Sequence, residues 1–274
     1  MSRAPRLGQH FLTDPTLLRR IADALDPAPG DVVIEVGPGK GSLTRELAQR
    51  VARVVAIERD PSLARALRET GGGRGEWGGV TIVEGDALRL DWHALVRDAS
   101  LASRLPFPGF KVIGNIPYAI TSPLIEKALT PPLPARIVFL VQREVADRLA
   151  APPGSRAYGA LSLGVQTVCT VERLFTIPPG AFRPPPRVHS ALVRLVPLAQ
   201  PLVAPDETAA LRAFVTACFS RRRKQLRNAV AAATGQPPPR VAAALAHLGF
   251  DPAARPETLA PAAFVRLLRW SRRL

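Results

Sequence analysis

The chain has 274 residues, 47% of them hydrophobic, and a formal net charge of +15. That length supports one sizeable core and a smaller one, and so large a positive surplus suits a polyanion, either nucleic acid or an acidic membrane face. Cys169 and Cys218 lack CxxC or Cys/His spacing, which argues against a metal site and for two buried thiols in a reducing, cytoplasmic compartment.

The basic start, Met1 to Arg6, is not followed by an apolar signal core, and no apolar run reaches the ~18 residues that cross a bilayer, so no membrane partner is expected. The only lysines are Lys40, Lys111, Lys127 and Lys224, which leaves arginine to carry nearly all the charge. Guanidinium groups fork phosphates and stack on bases, although a GC-rich genome produces the same bias.

Val32 to Val36 is the first run that reads as a buried strand. Val54 to Ile57, Val80 to Val83, Phe110 to Ile113 and Arg136 to Val141 follow in the same style. Runs that are β-branched and apolar on both faces belong in a parallel sheet covered by helices. The intervening segments Leu43 to Val51, Pro61 to Thr70 and Ser122 to Leu129 have helical composition with serine or proline at their entries. Residues 71–75 predict a flexible, exposed loop, and residues 151–156 a second mobile one. Thr170 to Ile177 and Ser190 to Pro197 alternate like strands around a proline-rich connection, which predicts an antiparallel closing pair. Beyond Pro201 the pattern is helical, with breaks at residues 234–239 and 249–252. The expected architecture is α/β: a Rossmann-like, doubly wound, mostly parallel sheet with an antiparallel last strand over residues 1–200, and a small all-helical domain over residues 201–274.

Ligands of such sheets bind at the carboxyl ends of the strands. Glu35-Val36-Gly37-Pro38-Gly39-Lys40-Gly41 leaves the first strand and opens a helix, and its glycines allow a sharp turn and a close ligand. Glu58 ends the second strand, where a carboxylate can accept both hydrogen bonds of a ribose diol, and Asp86 follows the third, where it can accept from an adenine amine. Capping, ion pairing or turn formation would explain any one of these acids alone. Ser42 breaks the GxGxxG spacing of nicotinamide and flavin sites, so an adenosyl ligand without a 2′-phosphate fits better than a dehydrogenase.

Gly114-Asn115-Ile116-Pro117-Tyr118 ends the fourth strand. An adenine amine is a poor nucleophile because its lone pair is delocalised into the ring. Two acceptors, the Asn115 side-chain oxygen and the Ile116 carbonyl, would draw the nitrogen toward tetrahedral geometry and stabilise its developing charge. Pro117 stiffens the turn and Tyr118 offers a stacking face for an extruded base. No general base is needed, since the methylated amine sheds its proton readily. The competing reading is a plain strand-ending turn.

These motifs, in this order, resemble the ribosomal RNA adenine N6,N6-dimethyltransferase family. Leu7 to Leu12 is similar to its opening motif, Glu35 to Gly41 to its methionine-binding turn, and Asn115 to Tyr118, followed by Ile120 to Leu124, to its catalytic motif. Phe182 to Ser190 resembles the late motif, whose Phe helps sandwich the target base, and Phe219 to Lys224 with Asn228 resembles a basic helix of the family's second domain. The resemblance implies S-adenosyl-L-methionine as cofactor. It places His10, Leu12 and Gly37 at the cofactor's methionine end, Gly39 in the same turn, Glu58 at the ribose, Asp86 and Ala87 at the adenine, and Asn115 against both cofactor and base. His10 stands where many relatives carry Asn.

The resemblance is strongest to the members acting on the small subunit. It implies dimethylation of two adjacent adenosines in the 3′-terminal hairpin of 16S rRNA, an immature small subunit as partner, and a monomeric protein. Arg221, Arg222, Arg223 and Lys224 are the expected RNA contacts, unless they are simply a solvated helix face. The alternatives are a large-subunit enzyme conferring macrolide-type resistance and an assembly factor in which methylation is secondary.

Overall fold

The computed structural model describes residues 10–72, 77–103, 109–220 and 224–273. Leu7, Gly8, Gln9 and the arginines Arg221, Arg222 and Arg223 therefore lie outside the described residues. The chain forms two compact units, residues 1–146 with 172–197, and residues 147–171 with 198–274.

The first unit opens with a two-residue strand, β1 (Phe11–Leu12), and helix α1 (Pro15–Ala24). Asp14 caps α1 by accepting the Thr16 and Leu17 N–H groups, and Pro15 fixes its first turn. There follow β2 (Val32–Val36), α2 (Ser42–Ala48), β3 (Arg53–Glu58), α3 (Pro61–Leu67), β4 (Val80–Glu84), α4 (Trp92–Ser103), β5 (Phe110–Asn115), α5 (Thr121–Ala128), β6 (Arg136–Gln142) and α6 (Arg143–Leu149). After α7 (Ala160–Gln166) come β7 (Cys169–Ile177), a second two-residue strand β8 (Phe182–Arg183), and β9 (Ser190–Pro197).

Seven strands form one sheet in the order β4-β3-β2-β5-β6-β9-β7. Strands β2 to β6 run parallel, and β9 inserts antiparallel beside β6. The strands expected from the sequence are all present, and the antiparallel closure is as expected. β2 is buried at every position, as a central parallel strand must be. The core gathers Val33, Val54, Ile113, Val138 and Leu192 from the sheet with Leu18, Ile21 and Leu47 from helices. Chain order reverses between β2 and β5, which lie side by side with Val36 opposite Gly114. A crevice at the carboxyl ends of these two strands is where such a sheet accepts a ligand.

The expected exposed loop at residues 71–75 is corrected in part. Arg68–Gly72 forms a π-helical turn, and Gly71 is buried against the Trp77 ring, which leaves no room for a Cβ. Residues 73–75 lie outside the described residues.

The second unit contains α7, α8 (Thr208–Phe219), α9 (Leu226–Thr234), α10 (Pro238–His247) and α11 (Pro261–Ser271). Gly235 ends α9 in the left-handed conformation and prolines open α10 and α11, so the sequence breaks mark the helix ends. The unit also takes in residues 147–171, which the sequence pattern alone assigns to the first domain. The reason is local packing: α7 sits on α8 and α11. Tyr158 is buried in this unit, donates to the Leu259 carbonyl at 3.1 Å and meets Phe219 edge to face; burial pushes its phenol above the usual range. Phe219 also stacks on Phe264, with ring centroids 5.6 Å apart. Cys169 and Cys218 are buried and unpaired, and burial pushes both thiols up to about 12, as expected of small apolar core residues. No helix among the described residues is long and apolar enough to cross a membrane.

Candidate active site

The turn after β2 is built on glycines with positive φ, +71° at Gly37 and +59° at Gly39, a conformation that side-chain-bearing residues rarely adopt. It is fastened to β3. The Gly37 N–H donates to the Ile57 carbonyl at 3.0 Å, and the Gly39 N–H donates to Glu58 Oε2 at 3.0 Å. The other Glu58 oxygen accepts the Asp60 N–H at 2.9 Å. Glu58 thus orders the mouth of the turn and sits at its rim, and burial raises its pKa against the pull of these backbone donors.

Glu35 is held deeper, on the central strand and 1% exposed. Its Oε2 and the Thr44 hydroxyl are buried without a partner at hydrogen-bonding distance among the described residues. Burial pushes the Glu35 carboxyl up to about 7; the nearby Thr44 hydroxyl opposes the shift and the Glu58 carboxylate adds to it. Asp86 is half-buried, and its Oδ1 accepts the Leu88 N–H at 3.0 Å, which shapes the turn after β4. Ala87 is buried beside it, and its carbonyl accepts the Trp92 indole N–H at 2.9 Å.

Across the crevice, Asn115 ends β5 with its backbone oxygen 3.6 Å from the Cβ position of Gly37. Its side-chain N–H donates to the His10 carbonyl at 2.8 Å. That bond fixes which end of the amide points where and leaves Oδ1 as the end facing elsewhere. Ile116 is buried, with its N–H donated to the Leu140 carbonyl at 3.1 Å, and no hydrogen bond reaches its own carbonyl among the described residues. Pro117 is exposed, and Tyr118 begins a single 3-10 turn. The Tyr118 hydroxyl pairs with Ser190 Oγ at 2.8 Å, so β9 anchors the tyrosine. Ser190 closes the proline-rich motif in the sequence, and nothing in that motif signals this role.

The chain's opening strand reaches the same place. β1 pairs antiparallel with β8, Phe11 opposite Arg183 and Leu12 opposite Phe182. His10 extends the pairing, its Nδ1 lying 2.8 Å from the Pro184 carbonyl. Since a carbonyl can only accept, that nitrogen carries the hydrogen. The Phe11 ring lies against Gly39, and Lys40 approaches the ring's face. Residues 10–12 therefore form a strap joining the glycine turn, the Asn115 clamp and the loop after β8.

Phe182 is 1% exposed and belongs to the same core as Leu12. Of the four expected RNA contacts, only Lys224 lies among the described residues. α8 ends at Phe219 with Ser220 as its C-cap, and α9 begins after Gln225, so Lys224 lies in the connection between two helices. Phe219, Leu226 and Val230 are buried on either side of the run. Among the described residues no cluster of His, Cys, Asp and Glu could hold a metal ion.

A family model described as ribosomal RNA adenine dimethylase matches residues 2–271 of the chain. The chain belongs to the ribosomal RNA adenine dimethylase family. Among curated relatives, proteins named Ribosomal RNA small subunit methyltransferase A are 44% identical over 264 residues in Anaeromyxobacter sp. (strain K), covering 96% of this chain and 91% of the relative, and 40% identical over 270 residues in Geobacillus kaustophilus (strain HTA426), covering 95% and 88%. Two solved structures are similar throughout. A dimethyladenosine transferase from Plasmodium falciparum superposes with a TM-score of 0.77 at 28% identity, covering 96% of this chain and 98% of that one. The 23S rRNA methyltransferase ErmE superposes at 0.71 and 30% identity, covering 94% and 98%.

Proposed function

We propose that this protein uses S-adenosyl-L-methionine to dimethylate the N6 amino groups of two adjacent adenosines in the 3′-terminal hairpin of small-subunit (16S) rRNA. The observation that carries the reading is the orientation of Asn115. Its amide N–H is committed to the His10 carbonyl, so its Oδ1, which has no hydrogen bond among the described residues, is the end left to accept from a substrate amine.

The residues present suit the cofactor. The buried Glu35 oxygen without a partner among the described residues, the glycine turn with no Cβ in the way, and Glu58 at the end of the adjacent strand make a cradle for an adenosyl group bearing a cationic methionine end. Glu35, Gly37 and Gly39 would hold the methionine side, Glu58 the ribose, and Asp86 with Ala87 the adenine. His10 and Leu12 belong to the strap that closes over this turn. When bound, S-adenosyl-L-methionine supplies an electrophilic methyl group.

The chain's own part is positioning and charge stabilisation. Asn115 Oδ1 and the Ile116 carbonyl accept the two N–H bonds of the target amine and localise its lone pair toward the crevice. The same two oxygens then stabilise the positive charge that develops on nitrogen as its new bond forms. The methylated amine releases its proton to water. Pro117 holds the two acceptors at a fixed angle, and Tyr118, anchored by Ser190, supplies a stacking face.

The small-subunit substrate rests on the relatives, which carry that name at 40–44% identity, whereas the likeness to the 23S enzyme is 30%. The first unit would bind cofactor and base. The second, with Arg221, Arg222, Arg223 and Lys224, would track rRNA phosphates on an immature small subunit in the cytoplasm, and the protein would act as a monomer. The test is to incubate the protein and labelled S-adenosyl-L-methionine with undermethylated small subunits, with large subunits and with naked rRNAs, and to map the modified nucleotides. Label on two adjacent 3′-hairpin adenosines of the small subunit is expected; label only on large-subunit RNA, or none, would overturn the reading.

A further inference from the structure

Glu35 Oε2 and the Thr44 hydroxyl are buried near one another, and neither has a hydrogen-bond partner among the described residues. Both residues are enclosed, Glu35 at 1% exposure and Thr44 at 0%. Their surroundings are apolar. Glu35 lies in register between Ala56 of β3 and Ile113 of β5, and Thr44 shares the buried face of α2 with Leu43 and Leu47. An apolar side chain at either place would avoid the desolvation that a carboxyl and a hydroxyl suffer there. Two polar groups left unsatisfied side by side beneath the glycine turn therefore answer to a ligand.

The two groups are complementary, since a carboxylate accepts and a hydroxyl donates. What opposes their pairing is the burial of a charge. Burial keeps Glu35 protonated up to about pH 7; the Thr44 hydroxyl works against that shift and Glu58, on β3, adds to it. Among the described residues no charged group of α4, which also packs on β2, acts on the carboxyl. A cation set beside Glu35 would remove the obstacle, because it favours the ionised form that burial penalises.

We propose that Glu35 and Thr44 form a proton-releasing seat for the cationic methionine end of the cofactor. In the ligand-free protein Glu35 is a neutral acid. On binding, its O–H bond breaks, the proton leaves to solvent, and the resulting carboxylate faces the cation while accepting from the Thr44 hydroxyl. Thr44 is thus a positioning residue that acts on the cofactor through Glu35. The inference rests on the proposed cofactor reading of this cradle and adds a control to it. Affinity for S-adenosyl-L-methionine rises with pH across the window in which Glu35 otherwise keeps its proton.

The test is calorimetric titration of S-adenosyl-L-methionine into the full chain at pH 6, in two buffers of different ionisation enthalpy, which counts the protons released. The cofactor's own α-amino group titrates near ~8, so at pH 6 a released proton comes from the protein. Close to one proton per cofactor is expected from the unaltered protein and close to none from Glu35→Gln. Between about pH 5 and pH 7 the affinity of the unaltered protein should rise by up to about tenfold per pH unit, then level off. Thr44→Val keeps the shape and loses the donor. It should bind about tenfold or more weakly at neutral pH and level off at a higher pH, and Thr44→Ser should restore both. A lower unfolding midpoint in Thr44→Val with the levelling pH unmoved would make Thr44 merely structural and overturn its part. Equal weakness in Thr44→Ser and Thr44→Val would do the same, and no proton released by the unaltered protein would overturn the whole. If the unaltered protein binds no S-adenosyl-L-methionine, it is the reading of the cradle that fails, before any proton is counted.

Discussion

Asn115 shows how a backbone contact can select the working atom of a side chain. Because its N–H is held by the His10 carbonyl, removing the amide and replacing it by a carboxylate are separate experiments. Asn115→Ala is expected to keep cofactor binding and to lose methyl transfer by about 10²- to 10³-fold, the usual cost of one charge-stabilising group at a reacting centre. Asn115→Asp retains an acceptor but sets a carboxylate against the His10 carbonyl, so turnover should fall as far. Single-turnover methylation with cofactor affinity measured in parallel checks both; a nearly normal rate in either variant would remove Asn115 from the role.

Glu35 makes a second prediction at this scale. The folded protein keeps its proton up to about pH 7, whereas the unfolded chain releases it near 4.5. Between those values the native state binds more protons than the unfolded state, so stability falls as pH rises through the window, by on the order of 3 kcal/mol in all. Glu35→Gln has no proton to lose and should flatten that slope in the ligand-free protein. Coincident denaturation-midpoint profiles for the two proteins between about pH 5 and pH 7.5 would show that Glu35 does not titrate there.

At the scale of elements, the parallel strands were legible because each is a short β-branched run, and the carboxyl-end acids could be read from position alone. The strap was not. β1 and β8 are two residues each, paired between opposite ends of the first unit's sequence, and so short a strand has no alternation to read. The burial of Phe182 was hidden for the same reason, since it follows from the pairing of Leu12 with Phe182. Lys224, expected on a basic helix, follows apolar helical residues in the sequence, yet it stands outside both α8 and α9.

The close approach of β2 and β5 was equally hidden, and it can be tested. Gly114 lies opposite Val36, and a Cβ at Gly114 would meet the Val36 carbonyl oxygen at 2.5 Å and the Ile116 side chain at 2.8 Å. Backbone cannot yield as a side-chain tip does, so Gly114→Ala should cost about 1–3 kcal/mol in denaturant unfolding. It should also reduce turnover by displacing Asn115, the next residue on the strand. An unchanged midpoint would mean that the strands separate more easily than their register implies.

At the scale of the molecule, the net charge of +15 cannot be taken as uniform RNA-binding capacity, because several arginines are already engaged. Arg269 donates twice to Glu207, at 2.8 and 3.1 Å, and Arg272 lies 4.0 Å from the same carboxylate. The Arg269 hydrogen bonds lead the interactions that hold Glu207 down at about 2. Arg266 donates to the Leu248 carbonyl at 2.8 Å and covers the Phe250 ring. These side chains brace the second unit, and part of their charge is neutralised there. Arg222 and Arg223 stand in sequence between the buried anchors Phe219 and Leu226. Replacing both by Ala is expected to weaken rRNA binding and to flatten the plot of log affinity against log salt by about two, one for each phosphate left without its guanidinium. Replacing Arg269 and Arg272 should lower the unfolding midpoint while leaving the salt slope nearly unchanged. An equal drop in slope from the two pairs would mean that RNA reads the whole basic surface, with Arg222 and Arg223 holding no privileged place on it.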